Sequence, residues 1–270
     1  YDNPNRTLTD PYEGQQLGEI WGYVVDGYFK TDEEARNYKV DQSFVNQMIN
    51  ASALDNGLHA GDLKFVDLDG NNKIEQTTSA NDRKDMKVIG NSLPRYNYNF
   101  GISADWYGID FSVLFQGIGK QNWYPGAETS MFWGPYSRPY ASFIPSDFMS
   151  QVWSEENTDA YFPRPRGYVA LGSNRELAVV NTKYLQNLAY CRLKNLSIGY
   201  TLPDKWLSKM GFEKIRVYFS GENLLTFTKL HSDYIDPEQA SASNSWKTSK
   251  SDANIYPWAK TYSFGVDITF

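Results

Sequence analysis

The sequence is poor in the residues that build disulfide frameworks and zinc sites. It contains one cysteine, Cys191, and two histidines, His59 and His231, among 270 residues. A single cysteine excludes an internal disulfide framework, and this set is too small for a Cys/His zinc centre. Because Cys191 falls in an apolar β-segment, we expect it to be a small hydrophobe and not a nucleophile. The two histidines lie in polar loops and are predicted to face solvent.

The sequence also lacks a long hydrophobic run, an excess of basic charge and a leader segment. No stretch of about 18 apolar residues is present, which excludes a transmembrane helix. The formal net charge of -6 argues against nucleic acid as a partner, since phosphates demand a basic surface. Residues 1–5 carry neither a basic nor an apolar region. Two alternatives follow: the mature protein begins here, or the N-terminal part of a longer protein is missing, and we expect the second.

Patterns of catalytic residues are absent as well. The carboxylate pairs Glu33-Glu34 and Glu155-Glu156 stand in loops without a nearby histidine, nucleophile motif or glycine-rich phosphate loop, so we interpret them as solvated charge. A glycan hydrolase would need two carboxylates facing each other at about 5–10 Å in a cleft, which a sequence cannot test. We predict no enzyme activity and no organic cofactor.

Aromatic residues are abundant, at 16% of the sequence, and many alternate with polar residues. The clearest case is the segment 259–270, in which alternate residues share one apolar face. These residues are Tyr262, Phe264, Val266, Ile268 and Phe270. A strand that ends on such an aromatic residue is typical of the closing strand of an outer-membrane barrel, and the five residues are predicted to form its barrel-assembly signal. A soluble sandwich strand has the same alternation, so the rest of the chain must decide.

Segments with strand patterns are joined by connections that are alternately long and short. The predicted strands are 17–29, 95–106, 108–118, 188–202, 214–227 and 259–270. The predicted loops are 30–94, 119–187 and 228–258, with short helices starting near Thr31 and spanning 44–49. Short turns at Tyr107-Gly108 and 203–212 with long loops opposite are typical of outer-membrane barrels. The sequence therefore predicts an all-β, antiparallel transmembrane barrel, and its six strands are fewer than the minimum of about eight.

One predicted strand changes its alternation partway along. In 188–202 the outward apolar residues switch parity near Lys194-Asn195. We interpret the switch as a β-bulge, because an extra residue reverses the side to which the following side chains point. The bulge would keep Arg192 and Lys194 off the lipid face.

Several motifs in the chain, taken in order, resemble one family. They are 61–71 (GDLKFVDLDGN), 82–83 (DR), 88–91 (VIGN), 94–96 (PRY), 115–117 (FQG), 192–200 (RLKNLSIGY), 217–218 (VY) and 221–226 (GENLLT). From about residue 18 to residue 270 the chain is similar to the C-terminal third of SusC/RagA-type TonB-dependent outer-membrane transporters. The resemblance implies a barrel of about 22 strands in the bacterial outer membrane. An N-terminal plug domain would fill that barrel and is absent from this chain.

The resemblance also implies a function and a set of partners. A SusD-like surface lipoprotein would cap the extracellular loops, and TonB would power the import of oligosaccharides or peptides through the missing N-terminal part. The barrel-assembly machinery and outer-membrane lipid are further expected partners. The alternative is a secreted, soluble β-rich carbohydrate-binding protein with a calcium loop. Purification as a folded monomer without detergent would favour that alternative.

The segment 67–75 (DLDGNNKIE) fits the first nine positions of a structural calcium loop. The predicted ligands are Asp67, Asp69, Asn71, the carbonyl of Lys73, Glu75 and Asp82. Asn72 replaces the usual glycine and tolerates a left-handed backbone, while Ile74 anchors the loop inward. Thr78 at the twelfth position cannot supply a bidentate carboxylate, so Asp82 takes that role, with Asp85 in reserve. The alternative is an Asx-rich turn held by side-chain to backbone hydrogen bonds.

The loop 119–187 carries aromatic residues that are candidates for contact with the substrate or a partner. They are Trp123, Tyr124, Trp133, Tyr136 and Trp153. Three roles remain open: stacking on sugar rings, packing against a lipoprotein partner, or forming the loop's own core.

Overall fold

The structure is a computed structural model of the chain. It describes residues 2–46, 57–137, 144–165, 168–172, 175–208, 211–243, 250–251 and 256–270. The described residues fall into two regions. We call the five-stranded sheet formed by strands within 95–120, 190–228 and 261–269 the wall, and the packed described residues of 2–94, 121–189 and 229–260 the loop unit.

The wall and the loop unit contain strands of very different length. The strands are β1 (Glu19–Tyr23), β2 (Val25–Tyr28), β3 (Leu63–Phe65), β4 (Met86–Asn91), β5 (Arg95–Trp106), β6 (Ile109–Lys120), β7 (Asn122–Pro125), β8 (Gln186–Asn187), β9 (Tyr190–Thr201), β10 (Lys214–Thr228), β11 (Lys250–Ser251) and β12 (Thr261–Thr269). The helices are α1 (Asp32–Asn37), α2 (Ser130–Trp133), α3 (Asp204–Leu207) and α4 (Pro237–Ser243), with 3-10 turns at Gly134–Tyr136, Phe148–Gln151 and Tyr168–Leu171. Within the described part of the chain, no helix combines the length and the apolar character needed to span a membrane.

The wall has the strand order β12-β10-β9-β6-β5, and every neighbouring pair is antiparallel. Its strands lie within two residues of the predicted segments 95–106, 108–118, 188–202, 214–227 and 259–270. Because each strand reverses direction, both short connections lie at one end of the wall. The long connections lie together at the other end, where the loop unit packs.

The shortest connection is a two-residue turn between β5 and β6. Trp106 pairs with Ile109, and the turn residues Tyr107 and Gly108 have φ angles of 47° and 83°. Positive φ at both central residues is the requirement of a type I′ hairpin turn, which matches the twist of the flanking strands. A Cβ atom on Gly108 would lie 2.8 Å from the carbonyl oxygen of Thr201. The predicted reversal is therefore confirmed, and the glycine also permits close approach to β9.

One face of the wall is apolar across all five strands. The pairing register aligns its residues in rows, of which one is Ala104, Phe111, Ile198, Phe219 and Phe264 and the next is Trp106, Ile109, Tyr200, Val217 and Val266. Trp106 is 69% exposed and Phe264 is 83% exposed. Contiguous apolar surface of this kind marks a membrane or interaction surface and not a face for water.

The opposite face of the wall is small and polar. A complete row across the five strands consists of serine: Ser103, Ser112, Ser197, Ser220 and Ser263. In the next row, Asp110 of β6 pairs with Gly199 of β9. Arg216 of β10 lies opposite Thr201, two residues further along β9, and its side chain reaches back towards Asp110. The guanidinium passes over the glycine to bind Asp110 at 2.6 Å and 2.8 Å and Asp267 at 3.2 Å. A Cβ atom on Gly199 would lie 2.6 Å from Arg216 Nε, so the glycine opens the path for this ion bridge.

Strand β9 contains the predicted bulge. Along β6, Leu114 faces Asn195 and the next residue, Phe115, faces Leu193, so Lys194 is the extra residue. The pairing with β10 is also irregular at this level. Arg192 pairs with Thr226 and its Nε donates to the Thr226 hydroxyl, which lies on the polar face. The bulge therefore keeps the basic residues off the apolar face, as predicted.

The structure corrects the predicted strand 17–29. The segment divides into β1 and β2, which pair with β4 and β3, and among the described residues neither strand joins the wall. Ile20, Tyr23 and Tyr28 are buried in the loop unit. Their alternation reflects burial in protein, which produces the same two-residue period as contact with lipid. The wall seen here therefore has five strands, and 30–94 is not a loop between two of them.

The predicted loops 30–94 and 119–187 pack together around one aromatic core. The cluster draws buried residues from both segments, including Phe65, Ile74, Trp123, Phe162 and Tyr184. The two predicted loops therefore form one packed unit. Large aromatic side chains bury enough apolar surface to stabilise a unit with little regular secondary structure.

Short helices occur in this unit. The predicted helix start is confirmed: Thr31 caps α1, and its hydroxyl accepts a hydrogen bond of 3.1 Å from the N–H of Glu34. In the second predicted helix, 44–49, residues 44 and 45 lie in a turn and are not helical, and residues 47–49 lie outside the described residues.

Candidate functional site

The wall is the candidate functional surface, because its strand lengths suit a bilayer. Its strands have 12, 12, 12, 15 and 9 residues, and a transmembrane β-strand needs about 9–11. Aromatic residues mark both ends of the apolar face, with Trp106 near the short turns and Tyr96, Phe227 and Tyr262 near the loop unit. Aromatic girdles at both interfaces flank the apolar band of transmembrane barrels. These features define the wall of an antiparallel transmembrane barrel.

The predicted barrel-assembly residues lie on or beside β12. Tyr262, Phe264, Val266, Ile268 and Phe270 are all exposed, with relative exposures between 47% and 83%. The ring of Phe270 lies 5.3 Å from the ring of Phe212, which belongs to the connection between β9 and β10. The structure thus places these residues on the apolar face, and their role in assembly stays a prediction.

The five loop aromatics predicted to contact a substrate or partner are buried in the loop unit. Trp123, Tyr124 and Trp133 are 0% exposed, Tyr136 is 1% exposed and Trp153 is 8% exposed. Of the three roles that the sequence leaves open, this burial favours the loop's own core. Their rings have almost no free surface on which a sugar or a partner could stack.

Polar atoms of this core are bonded to main-chain oxygens. Trp133 Nε1 donates to the carbonyl of Gly126 at 2.9 Å, and its ring packs edge-on against Tyr184 at 5.1 Å. The hydroxyls of Tyr124 and Tyr136 donate to main-chain carbonyls at 2.8 Å and 2.6 Å. Buried polar groups need such partners, since an unmet one destabilises the fold by about 1–3 kcal/mol. The aromatic side chains therefore fix the loop backbone as well as filling the core.

The calcium-like loop brings three carboxylates together. Single oxygens of Asp67, Asp69 and Asp85 all lie within 4.8 Å of one another. Asn72 has a φ angle of 62°, so the left-handed conformation expected of it is confirmed. Ile74 is fully buried and anchors the loop as predicted. Oxygen-rich clusters on turns of this kind suit the hard calcium ion.

Asp85, the reserve ligand, occupies the place predicted for Asp82. Asp85 is fully buried, and its carboxylate accepts hydrogen bonds from the N–H groups of Leu68 at 2.8 Å and Glu75 at 2.7 Å. Asp82 is exposed and pairs with Lys84 at 3.4 Å. The chain turns back on itself between Ser79 and Asp82, which points that carboxylate outward. The predicted use of Asp82 is therefore corrected.

The remaining predicted ligands are held by hydrogen bonds within the loop. Asn71 Oδ1 accepts from the N–H of Lys73 at 2.8 Å, and Glu75 lies near the ammonium groups of Lys73 and Lys84 at 3.6 Å and 3.8 Å. Asp67 accepts from the N–H groups of Gly70 and Asn72, both at 2.7 Å. These bonds are those of an Asx-rich turn, and they also shape the loop for a cation.

The electrostatics of the cluster differ between its members. Burial raises the pKa of Asp85, and the nearby carboxylates of Asp69 and Asp67 raise it further. Burial also opposes ionisation of Asp67, but the N–H groups of Asn72 and Gly70 outweigh it, so the pKa of Asp67 is lowered. A divalent cation between these carboxylates would offset their mutual repulsion.

Sequence reasoning missed an ion-pair cluster between the wall and the third long loop. Arg192 is almost fully buried, and its guanidinium binds Asp236 and Glu238 at 2.7 Å each. Lys194 binds Glu238 at 2.9 Å and lies 5.3 Å from the ring centre of Trp258. The bulge that turns two basic residues inward was the only signal for this contact. The cluster fixes the loop after β10 against the polar face of the wall.

Comparison with curated proteins identifies relatives over nearly the whole chain. No protein-family model matches. TonB-dependent receptor P3 of Formosa agariphila is 28% identical over 264 residues, which covers 96% of this chain and 22% of that protein. TonB-dependent receptor P39 of the same organism is 26% identical over 283 residues, covering 96% of this chain and 25% of that protein.

Comparison with solved structures finds the same fold. A chain of the RagAB peptide importer in its open-open state has a TM-score of 0.56 and 19% identity, covering 98% of this chain and 25% of that chain. A second RagAB structure, described as a peptide transporter, has a TM-score of 0.55 and 18% identity, covering 96% and 24%. The homologues of this chain are thus TonB-dependent receptors, which confirms the resemblance seen in the motifs. The chain spans about a quarter of the length of these relatives.

Proposed function

We propose that this chain supplies part of the wall and part of the extracellular loop layer of a TonB-dependent outer-membrane importer. The observation that carries the proposal is the wall itself, with bilayer-length strands, an apolar face and a polar face of serines and ion pairs. In the complete protein the apolar face would meet lipid and the polar face would line the lumen. The chain would be the C-terminal part of a barrel of about 22 strands, whose plug lies in the missing N-terminal part.

The substrate and partners proposed for the complete protein follow the same assignment. The cargo would be an oligosaccharide or a peptide, imported with energy supplied through TonB, and the role is transport without an enzymatic step. A SusD-like lipoprotein would cap the extracellular end. The packed loop unit supports this, because its aromatic core gives that end of the wall a defined surface against which a partner can dock. The RagAB structures of the same fold are described as a peptide importer.

Cell fractionation tests the proposed location. We expect the full-length protein to appear in the bacterial outer membrane, to require detergent for extraction, and to migrate faster in gels before boiling than after, as folded barrels do. Uptake of its cargo should stop when TonB is deleted. Recovery of a folded monomer from the periplasmic fraction without detergent would contradict the proposal and favour a soluble carbohydrate-binding protein.

We also propose that the loop 67–75 binds calcium in a structural role, with Asp67, Asp69 and Asp85 as its carboxylate ligands. The clustering of their oxygens supports this, together with the left-handed backbone at Gly70 and Asn72 that lets successive oxygens converge. The ion would stabilise the turn that leads from β3 to β4, and it would not take part in transport.

A further inference from the structure

The third long loop, between β10 and β12, lies against the polar face of the wall. Arg192 and Lys194 point to that face, and they bind Glu238 of α4 at 2.7 Å and 2.9 Å. A loop that folded away from the barrel would be out of reach of side chains that point into the lumen. In the complete barrel, α4 would therefore lie inside the outline of the wall, over the mouth of the lumen.

Two parts of this loop meet the same pair of basic residues. Near the start of the loop, the carboxylate of Asp236 binds the guanidinium of Arg192 at 2.7 Å. At the end of the loop, the N–H of Trp258 donates to the same carboxylate oxygen at 3.3 Å. The ring centre of Trp258 also lies 5.3 Å from Nζ of Lys194. The start and the end of the loop are thereby held together at one place on the wall.

The side of the loop away from the wall packs into the loop unit. Leu230, Ile235 and Ala240 are buried and belong to its aromatic core cluster. The ring of His231 stacks on the ring of Tyr161, with 3.5 Å between the ring centres and an angle of 15° between the planes. The loop therefore reaches from the aromatic core to the polar face of the wall.

The polar face is exposed beyond the point where the loop binds. Asn195 lies three residues further along β9 than Arg192, which places it about 10 Å closer to the short turns. Asn195 pairs with Glu222 of β10, and both residues are exposed. The loop therefore covers the polar face at the level of Arg192, and the surface beneath it is open to the lumen.

The contact between the loop and the wall is ionic. The side chains of Arg192 and Asp236 are 3% and 5% exposed. In the described part of the chain, residues 229–243 pair with no strand of the wall, so side chains hold the loop in place. The cost of burying two charges can offset their attraction, whereas loss of one partner leaves a buried charge unpaired. Such a contact fixes the closed position and can also open, because both charged groups then regain water.

We propose that the third long loop is a lid over the mouth of the lumen, latched to the wall by Arg192. The lid limits the access of molecules outside the cell to the polar face beneath it. This inference rests on the proposed import function, because it requires the polar face to line a lumen.

Cysteine labelling of the purified full-length protein in detergent tests the lid. The reporter is Asn195→Cys in a background that carries Cys191→Ser, and the reagent is a maleimide attached to a polyethylene glycol chain. We expect slow labelling while the latch is intact. Arg192→Gln and Glu238→Gln should each raise the labelling rate at least about tenfold, which corresponds to roughly 1.4 kcal/mol.

Arg216→Gln is the matched control. Arg216 also forms ion pairs on the polar face, with Asp110 and Asp267, but at the end of the wall near the short turns. Its replacement should leave the labelling rate unchanged. Heat-dependent gel mobility shows whether each variant forms a folded barrel. Because Glu238 lies outside the wall strands, Glu238→Gln tests the lid even if Arg192→Gln does not fold.

Three results would overturn the lid. They are rapid labelling while the latch is intact, no increase in either folded latch variant, or an equal increase in Arg216→Gln. These results leave the fractionation test untouched, so the lid can fail while the importer assignment stands. Recovery of the protein as a soluble periplasmic monomer would instead remove the importer and the lid together.

Discussion

The wall and the loop unit use the same aromatic residues in opposite ways. Phe264 in the wall is 83% exposed, whereas Trp133 in the loop unit is 0% exposed. In the wall, strand pairing satisfies the main chain and the side chains are free to point away from the protein. In the loop unit, the side chains turn inward and several of them satisfy the main chain. An aromatic excess therefore does not show whether the aromatic side chains face outward or form a protein core. The strand pairing around each residue distinguishes the two cases.

The two regions should also respond differently to mutation. The loop unit depends on close packing, so loss of volume should damage it most. The wall depends on the chemical character of the face that each residue occupies. A change of charge on the apolar face should therefore damage it more than the same change on the polar face.

The largest effect is expected from Trp133→Ala in the loop unit. Removing this fully buried ring and its hydrogen bond to Gly126 should destabilise the unit by about 3–5 kcal/mol. Limited proteolysis on intact cells measures this as faster cleavage of the extracellular loops, while the heat-dependent gel mobility of the barrel is kept. Trp206→Ala is the control, since Trp206 is 59% exposed within α3, on the connection between β9 and β10. Equal protease resistance in both variants would show that the loop core is not a separate unit.

The second-largest effect is expected from a charge placed on the apolar face of the wall, compared with the same charge on its polar face. Ile102 and Ser103 are adjacent exposed residues of β5 that point to opposite faces. Ile102→Arg should lower the free energy of unfolding in a bilayer by about 2–4 kcal/mol, because a charge on the lipid face is costly near the midplane. Ser103→Arg should cost much less. Urea titration of folding into lipid vesicles measures both, and equal losses would argue against lipid on the apolar face.

Calcium should stabilise the loop unit and leave the stability of the wall unchanged. If the ion is present at about 100 times its Kd, binding should stabilise the folded loop by roughly 2.7 kcal/mol. Chelator-treated protein should release heat on calcium titration and gain thermal stability. Asp85→Asn should abolish both responses, whereas Asp82→Asn, which lies outside the carboxylate cluster, should keep them. No heat and no change in Tm in the unaltered protein would remove the calcium proposal.

The smallest effect compares a glycine in each region. Gly108 and Gly70 both have positive φ angles, so replacement by alanine should cost about 1–2 kcal/mol from the backbone alone. A Cβ atom on Gly70 meets nothing within 4 Å, but on Gly108 it meets the carbonyl of Thr201 at 2.8 Å. Gly108→Ala should therefore reduce stability more than Gly70→Ala in thermal unfolding. The reverse order would show that the turn of β5 and β6 relaxes freely.

Sequence reasoning succeeded where an element is defined by its own residues. The bulge at Lys194, the turn at Tyr107-Gly108 and the helix cap at Thr31 follow from local alternation and backbone preference, and all three are present. The sequence prediction was wrong for 17–29. Alternation shows that one face of a strand is covered, but it does not show whether lipid or protein covers that face. The position of Asp85 in the carboxylate cluster depended on a return of the chain after Ser79, which no local pattern encodes.

The sequence by itself determined the two faces of each wall strand, since a two-residue period fixes which side chains point together whatever lies beyond them. Only the tertiary structure decided which segments join the wall, which aromatic residues form a core, and which charges pair between the wall and the third long loop. The physical reason is that side-chain direction is a local property of the backbone. The identity of a neighbour depends on chain segments that are far apart in sequence, such as those that bring Arg192 and Asp236 into one ion pair.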